Sequence, residues 1–515
     1  MNLARIRMKT FSPDGTNLGV TRLTRLARDS ESVFSLPSGG IEDVALSRMF
    51  VEDAIKQRLP VYGLTTGLGA RVTEILDQDQ LTDFSYQTLR GRAHTLGEPL
   101  PAKIVRGAMI ARVNTMMTGA SGVSSAVPEF IVRCLNKNVT PVVGRIGSIG
   151  ASDLCMGATM GLAFIGEGMM KIPGGEVVPS MQALNSEGLD PLALGPRDGL
   201  ALANHSCFSA SIAAFAVDES NHFFNCLQSS SAMTMEAMSA NFSPISESVM
   251  SVSQHQSHGR TAAHLREILI GSTLNNSGVA KKIQDPLSIR NIVQVHGSLL
   301  TALSMARLGV NAELNSVSDN PVVDLKNRRM VSSGGYFSSE LTLCVESVAR
   351  ALDMAVTTLL ARLSKLMSER YSGLPMFLAS PGANSNGFAP VMKIAESLVS
   401  KIKSALVPVS VWPSVNADGV EDVLSNSFER SQSVLEALNY GRQLVSIEMI
   451  IAAQALELSG RLPESSASVQ KFYHYVRSRV ESLEDDRPMA MDIENLAISL
   501  RRFEFPLLDH GDSRS

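Results

Sequence analysis

The chain has 515 residues, of which 44% are hydrophobic and 19% charged, and its formal net charge is −4. That length supports a large core and two or three structural regions. A slightly acidic chain without a concentrated basic patch favours neither a nucleic acid nor an anionic membrane as its partner. The five cysteines form no CxxC pair, which favours reduced thiols and a cytoplasmic location.

The first 150 residues alternate helix-like and glycine-rich segments. Residues 41–58 and 101–117 have the apolar spacing of helices. Residues 62–70 (YGLTTGLGA) and 144–152 (GRIGSIGAS) are predicted loops, because so much glycine destabilises a helix interior. Residues 1–15 lack the apolar run of a signal peptide, and nothing approaches the roughly 18 uninterrupted apolar residues of a membrane span.

Long helices are predicted beyond about residue 200. Segments 291–314, 340–370 and 428–458 repeat apolar residues every three to four positions. We therefore predict an all-α, mainly helical fold in which long helices form a central bundle. The predicted regions are an N-terminal region (1–200), the long helical bundle (201–475), and a C-terminal helix with a tail (476–515).

Common cofactor and metal motifs are absent from the sequence. There is no GxxxxGK[ST] phosphate loop, no GxGxxG after a strand and no GxSxG elbow. His255, His258 and His264 are close in sequence, but their spacing matches no strong zinc pattern and is typical of a polar loop. The sequence therefore predicts no metal site and no external cofactor.

A series of short motifs, in the same order, resembles the histidine, phenylalanine and tyrosine ammonia-lyase and aminomutase family. The motifs are YGLTTGLG (62–69), LGEPL (96–100), GSIGASDL (147–154), DGLALAN (198–204), IQDPLSIR (283–290), NSVSDNPVV (315–323), SSGGYF (332–337), LPMFL (374–378) and ED (421–422). This family builds an electrophile, methylidene-imidazolone (MIO), from an Ala-Ser-Gly triplet. The resemblance implies a fumarase/aspartase-like helical bundle, a smaller mixed N-terminal region that carries the MIO loop, and a homotetramer with shared active sites.

The resemblance also implies the two residues that act on the substrate most directly. Tyr62 matches the family's tyrosine base, which removes the β-proton; the alternative is a buried tyrosine with a satisfied hydroxyl. Arg290 matches the arginine that binds the substrate carboxylate, a task that suits its forked guanidinium. The alternative for Arg290 is a structural salt bridge.

Four further positions match the family's pocket. Asn204 and Gln284 match amides that contact the prosthetic group or the substrate, although amides also satisfy backbone groups. Phe337 matches an aromatic wall, with core packing as the alternative. Glu421 matches a carboxylate near the substrate's amine or ring, with a solvated helix-face charge as the alternative.

The triplet itself departs from the family pattern, because the chain has Ala151, Ser152 and Asp153 where the family has Ala-Ser-Gly followed by Asp. Cyclisation requires the nitrogen of the third residue to attack the carbonyl of the first across a tight turn. Glycine permits this turn, whereas Asp153 adds a Cβ and restricts the backbone. The strain, on the order of 1–3 kcal/mol, would slow closure without forbidding it.

Two more departures concern the substrate. Leu287 stands where the family carries a tyrosine whose hydroxyl assists proton handling. The position that helps to select the substrate side chain is occupied by Arg92, which suits an anionic substrate group. A salt bridge between Arg92 and a carboxylate such as Glu421 is an equally simple explanation.

Three functions are compatible with these residues. The first is a carbon–nitrogen lyase or aminomutase that acts on an α-amino acid through an MIO group formed at residues 151–153. The second is a homologue without MIO that uses acid–base chemistry at Tyr62 for isomerisation, conjugate addition or cyclisation. The third is a non-catalytic homologue that binds a small amino-acid-like molecule.

Overall fold

The fold is known from a computed structural model that describes residues 10–380, 384–409 and 412–508. Its α-helices are α1 (Val20–Arg28), α2 (Ser38–Lys56), α3 (Leu81–Arg90), α4 (Ala102–Met116), α5 (Ala126–Asn136), α6 (Leu154–Phe164), α7 (Ser180–Ser186), α8 (Asp198–Ala203), α9 (Cys207–Ala237), α10 (Glu247–Met250), α11 (Gln256–Ile268), α12 (Leu287–Arg290), α13 (Ile292–Leu314), α14 (Ser339–Leu366), α15 (Glu369–Ser372), α16 (Ala389–Ala405), α17 (Ser427–Ser459), α18 (Ala467–Arg477) and α19 (Ala490–Arg501). The predicted mainly helical fold class is confirmed.

Short strands form small antiparallel sheets. The strands are β1 (Leu96–Pro99), β2 (Thr140–Pro141), β3 (Gly144–Ile146), β4 (Met169–Lys171), β5 (Val177–Pro179), β6 (Val322–Asp324), β7 (Arg329–Val331), β8 (Trp412–Asn416) and β9 (Glu421–Leu424). Strand β1 pairs with β3, β6 with β7 and β8 with β9, while β4 lies between β2 and β5.

The long helices follow the sequence prediction closely. Segments 291–314 and 428–458 coincide with α13 and α17, and segment 340–370 contains α14 followed by α15. The apolar stripe along segment 340–370 is buried throughout, as a helix facing a core requires. Its members are Val345, Val348, Leu352, Val356, Leu359, Leu363 and Met367.

One predicted loop was wrong in part, because residues 144–146 form strand β3. The local glycine content predicted a loop, but β1 provides the pairing partner, and this tertiary interaction outweighs the local preference. A Cβ at Gly144 would lie 2.6 Å from the carbonyl oxygen of Leu96. Glycine therefore allows β1 and β3 to approach closely at this point.

The chain divides into two compact units, each discontinuous in sequence. Unit 1 comprises Met1–Ala216, Arg307–Val345 and Val409–Gln432, and unit 2 comprises Val217–Ala306, Glu346–Pro408 and Ser433–Ser515. Strands β1–β9 all belong to unit 1. The consecutive division at residues 200 and 475 stays a prediction, and the tail from residue 509 onward lies outside the described residues.

Unit 2 contains a buried carboxylate with a complete set of partners. Glu448 on α17 receives two hydrogen bonds from Arg362, at 2.8 and 3.0 Å. It also accepts hydrogen bonds from the hydroxyls of Ser230 (2.6 Å) and Thr234 (3.1 Å). A buried charge is tolerated only when it is paired and hydrogen-bonded in this way, so the network fixes the packing of three helices within the unit.

Unit 1 contains a buried ion cluster that supports α8. Asp319 accepts two hydrogen bonds from Arg112, each 2.8 Å long, and lies 3.6 Å from Arg197. Burial alone would raise the pKa of Asp319, but the adjacent Arg112 and Arg197 hold that pKa below its usual range. Arg112 also donates to the carbonyl of Ala201 at 2.7 Å. The cluster therefore fixes the segment that leads to Asn204.

One segment, Asp198–Ala237, is long and apolar enough to cross a membrane, with a mean hydropathy of 1.4 over its most apolar stretch. However, 94% of that stretch is buried inside the protein. A core helix of a globular protein passes the same test of length and composition, so this feature is weak evidence for a membrane span.

Replacing Asp319 with asparagine should destabilise the protein strongly, because Arg112 and Arg197 would then lie buried without a counter-charge. We expect the free energy of unfolding to fall by about 3–5 kcal/mol, measured by urea denaturation. Asp324→Asn is the control, since Asp324 lies near the surface, where it accepts hydrogen bonds from Asn327 and pairs with the exposed Arg329. Equal stability of both variants would contradict the role given to the cluster.

Candidate active site

The segment from Gly150 to Asp153 makes a tight turn between β3 and α6. Both Gly150 (φ 74°) and Ser152 (φ 69°) adopt left-handed backbone conformations. Only glycine fits at position 150, because a Cβ there would lie 2.1 Å from the Ser425 hydroxyl oxygen. Ser152 is a serine in a conformation that costs on the order of 1–3 kcal/mol, so the surrounding contacts must hold the turn in place.

The carboxylate of Asp153 supplies the strongest of these contacts. Its Oδ1 accepts hydrogen bonds from the hydroxyls of Ser148 and Ser209, both 2.6 Å long, and its Oδ2 accepts from the backbone N–H of Ser209 at 2.7 Å. Burial raises the pKa of Asp153, while these bonds and the Phe208 N–H act to lower it. Because Phe208 and Ser209 lie in the first turn of α9, Asp153 binds to the positive end of that helix.

The backbone of the turn is also held by hydrogen bonds. The N–H of Asp153 donates to the carbonyl of His205 at 2.7 Å, and the N–H of Ser152 donates to the carbonyl of Tyr336 at 2.8 Å. Ala151 forms an antiparallel bridge with Phe337. The nitrogen that would have to close an MIO ring is therefore engaged with His205.

His205 was not singled out in the sequence, because the recognised motif ends at Asn204. Its ring is fully buried, and Nδ1 accepts the backbone N–H of Cys207 at 3.2 Å. Burial, reinforced by the charge of Arg112, lowers the pKa of His205 to about 3. The imidazole is therefore neutral near pH 7, and the residue holds the turn through its backbone carbonyl. Asn204 lies beside it, with Nδ2 3.5 Å from the carbonyl of Asn320.

Tyr62 is positioned by the predicted glycine-rich loop. Gly63 has a φ of 63°, and a Cβ there would lie 2.3 Å from a methyl group of Leu200, so the residue after Tyr62 must be glycine. The half-buried Tyr62 hydroxyl accepts the backbone N–H of Gly69 at 3.1 Å. A donor aimed at the phenolic oxygen stabilises negative charge on it.

Five ionisable side chains of unit 1 interact electrostatically and define what we call the Tyr62 cluster: Tyr62, Arg92, Cys155, Tyr336 and Glu421. Burial lowers the pKa of Arg92, while Tyr62, Glu421 and Cys155 act to raise it. Burial raises the pKa of Tyr336, and Tyr62 and Glu421 raise it further. The cluster thus combines one cation with one carboxylate, two phenols and one thiol.

Three members of this cluster were expected from the sequence, namely Tyr62, Arg92 and Glu421. The other two, Cys155 and Tyr336, were not. Cys155 follows Asp153 by two residues in α6, and burial together with Glu421 raises the pKa of its thiol. Tyr336 directly precedes Phe337 in the recognised motif SSGGYF, and this proximity was the available signal. Cys155 has no comparable signal, because only the tertiary structure brings its thiol close to Arg92 and Glu421.

The structure also bears on the two explanations offered for Arg92. Within the described ranges 10–380, 384–409 and 412–508, its half-buried guanidinium forms no hydrogen bond and no ion pair within 4.0 Å. Glu421 acts on it only through the electrostatic field. The salt bridge, one of the two explanations left open by the sequence, is therefore not formed, and Arg92 retains its capacity to bind an anion.

The remaining predicted site residues lie in unit 2. Arg290 at the end of α12 donates a hydrogen bond to the side-chain carbonyl of Gln284. Leu287, at the start of the same helix, is 61% exposed. The eight other predicted residues belong to unit 1: Tyr62, Arg92, Ala151, Ser152, Asp153, Asn204, Phe337 and Glu421. Among the residues that the structure describes, no group of three or more His, Cys, Asp or Glu side chains could hold a metal ion.

The chain is similar in sequence to histidine ammonia-lyases over most of its length. Histidine ammonia-lyase from Stigmatella aurantiaca is 31% identical over 483 residues, covering 93% of this chain and 94% of that protein. Histidine ammonia-lyase from Gloeobacter violaceus is 32% identical over 486 residues, with 94% of each chain covered.

Solved structures share the fold. Tyrosine aminomutase from Streptomyces globisporus has a TM-score of 0.90 and 27% identity, covering 96% of this chain and 98% of that one. Ergothionase from Treponema denticola, an ergothioneine-degrading enzyme, has a TM-score of 0.94 and 24% identity, covering 97% of this chain and all of that one. Residues 18–478 match the sequence profile of the family described as aromatic amino acid lyase. The chain is thus an enzyme of the aromatic amino acid lyase family.

Proposed function

We propose that the protein is a carbon–nitrogen lyase that eliminates an amine from an amino-acid-derived substrate, with Tyr62 as the base and without an MIO group. The observation that carries this proposal is the fixed position of Asp153. An aminomutase must retain the amine between its removal and its re-addition. Because no MIO group would capture the amine here, a lyase is favoured over an aminomutase.

The residues at 151–153 do not fit an MIO group. Ring closure would require the Asp153 nitrogen to leave its 2.7 Å hydrogen bond with the His205 carbonyl and bond to the carbonyl carbon of Ala151. The Asp153 side chain opposes this movement, because its carboxylate is held by Ser148 and Ser209. In the family pattern, the glycine nitrogen closes the ring and a separate aspartate follows it. In this chain, Asp153 would have to close the ring with its nitrogen and anchor the turn with its side chain.

Proton removal is supported by the surroundings of Tyr62. Its oxygen accepts the Gly69 N–H, and Arg92 places a positive charge within electrostatic range. Both features stabilise a phenolate that would take the β-proton. Burial, together with Tyr62 and Glu421, raises the pKa of Tyr336, which disfavours Tyr336 as the base.

Without an electrophile to capture it, the amine must already be a good leaving group. A quaternary ammonium group meets this requirement, because it departs as a neutral tertiary amine when the β-proton is removed and the double bond forms. Glu421 and the rings of Tyr336 and Phe337 are side chains of the type that stabilises such a cation. Ergothioneine, which the Treponema denticola enzyme degrades, is a betaine with a quaternary amine.

We further propose that the enzyme is a cytoplasmic homotetramer with shared sites. Gln284, Leu287 and Arg290 of one subunit would then complete the Tyr62 cluster of another, with Arg290 binding the substrate carboxylate. Large exposed apolar side chains such as Leu308 (71%) and Leu343 (70%) are consistent with such assembly.

Replacing Tyr62 with phenylalanine should lower kcat by about 100-fold or more, because the base is removed. Turnover can be followed by the absorbance of the unsaturated product, using a panel of α-amino acids and their trimethylammonium betaines. Tyr86→Phe is the matched control, since the Tyr86 hydroxyl accepts only the Leu194 N–H at 3.1 Å and lies outside the cluster. Undiminished turnover by Tyr62→Phe would rule out this base.

The Arg92→Gln variant should raise the KM at least about tenfold for substrates with an anionic group on the side chain, since a charge-assisted hydrogen bond is lost. The KM of substrates without that anion should change much less. Arg90→Gln is the control, because Arg90 forms an exposed pair with Glu167. A similar KM change in both variants would contradict the role of Arg92.

The intact mass of the purified, active enzyme should equal the mass of its unmodified sequence. MIO formation removes two molecules of water, so a deficit of that size in the active enzyme would overturn the proposal. A variant with glycine inserted between Ser152 and Asp153 restores the family pattern and frees the third residue from anchoring. We expect this variant to show the deficit that the natural chain lacks.

A further inference from the structure

One cavity in unit 1 is lined by positive charge. It has a volume of about 360 Å³ and lies against the end of α1, the start of α4 and the β4–β5 hairpin. Four cationic side chains line it, namely Arg28, Lys103, Arg106 and Lys171, and no acidic residue is among its described lining. Its volume falls in the range of about 300–1,000 Å³ that is usual for small-molecule sites.

Arg106 is the informative member of this set. It is only 6% exposed, and its Nη1 donates a single long hydrogen bond of 3.3 Å to the carbonyl of Leu135. Its Nη2 is buried and has no partner among the described residues. Burial lowers the pKa of Arg106, and the charge of Asp29 opposes this only in part. A buried guanidinium with an unmatched donor is costly unless an anion completes it.

The other walls of the cavity favour the same kind of ligand. Lys103 lies in the first turn of α4, a 15-residue helix whose N-terminus has no side-chain cap, so the positive end of the helix dipole adds to the side-chain charges. Arg28 and Lys103 each lie 5.0 Å from the centre of the Phe215 ring. That contact helps to position both cations beside the cavity.

We propose that this cavity binds a phosphate-bearing anion, either inorganic phosphate or the phosphate groups of a small metabolite. Oxyanions of this type accept several charge-assisted hydrogen bonds at once, as the arrangement of Arg106, Lys103 and Lys171 requires. The site shares no residue with the Tyr62 cluster, so it is independent of the elimination proposed above.

Isothermal titration calorimetry at constant ionic strength tests the proposal, with orthophosphate and pyrophosphate as separate titrants and chloride as the background anion. We expect saturable binding of at least one of them, and pyrophosphate should bind more tightly if the cavity takes two phosphate groups. The double variant Lys103→Gln/Lys171→Gln should weaken binding at least about tenfold. Arg106→Gln should do the same where the variant remains folded by circular dichroism.

The matched control is Lys326→Gln, because Lys326 is an exposed lysine of unit 1 that does not line the cavity. Its affinity for phosphate should equal that of the unmodified protein. The proposal is overturned if neither phosphate nor pyrophosphate binds saturably. It is also overturned if the double variant binds as tightly as the control, which would show that the anion is held elsewhere.

Discussion

The candidate active site depends on the attachment of one carboxylate to the start of one helix. Asp153 is fully buried and accepts hydrogen bonds from Ser148 and from the first turn of α9. Desolvation of the carboxylate is offset in part by these donors and by the helix dipole. Because Asp153 directly follows Ser152, its anchoring also fixes the backbone at which the family builds its electrophile. The same interaction therefore stabilises the fold locally and restricts the chemistry of the site.

The rest of the candidate site is arranged around this fixed turn. The carbonyls of His205 and Tyr336 receive the backbone N–H groups of Asp153 and Ser152, and the ion cluster around Asp319 holds the segment that precedes His205. Tyr62 comes from a separate loop whose shape depends on Gly63. In the function that we propose, the enzyme does not cyclise its backbone at this turn but uses Tyr62 as its base, beside the Glu421 carboxylate and the Arg92 guanidinium. Those groups suit elimination of an amine that leaves without assistance.

The sequence predicted the long helices well, because their apolar stripes repeat over many turns and the tertiary contacts agree with the local preference. The sequence wrongly predicted a loop at residues 144–146, where pairing with β1 outweighs the local preference of a glycine-rich segment for a loop. Ordered motifs singled out Tyr62 and Glu421, and the position that helps to select the substrate side chain singled out Arg92. The sequence did not single out Cys155 or His205, whose surroundings depend on contacts distant in sequence. The sequence also could not decide whether Arg92 pairs with Glu421, since that depends on side-chain geometry within the folded unit.

The most direct measurement is electron density through residues 151–153 in crystals of enzyme that is shown to turn over. We predict a continuous, open peptide in which Ser152 retains its hydroxyl and the Asp153 carboxylate contacts Ser209. A closed five-membered ring between Ala151 and the Asp153 nitrogen, with the serine oxygen lost, would contradict this prediction.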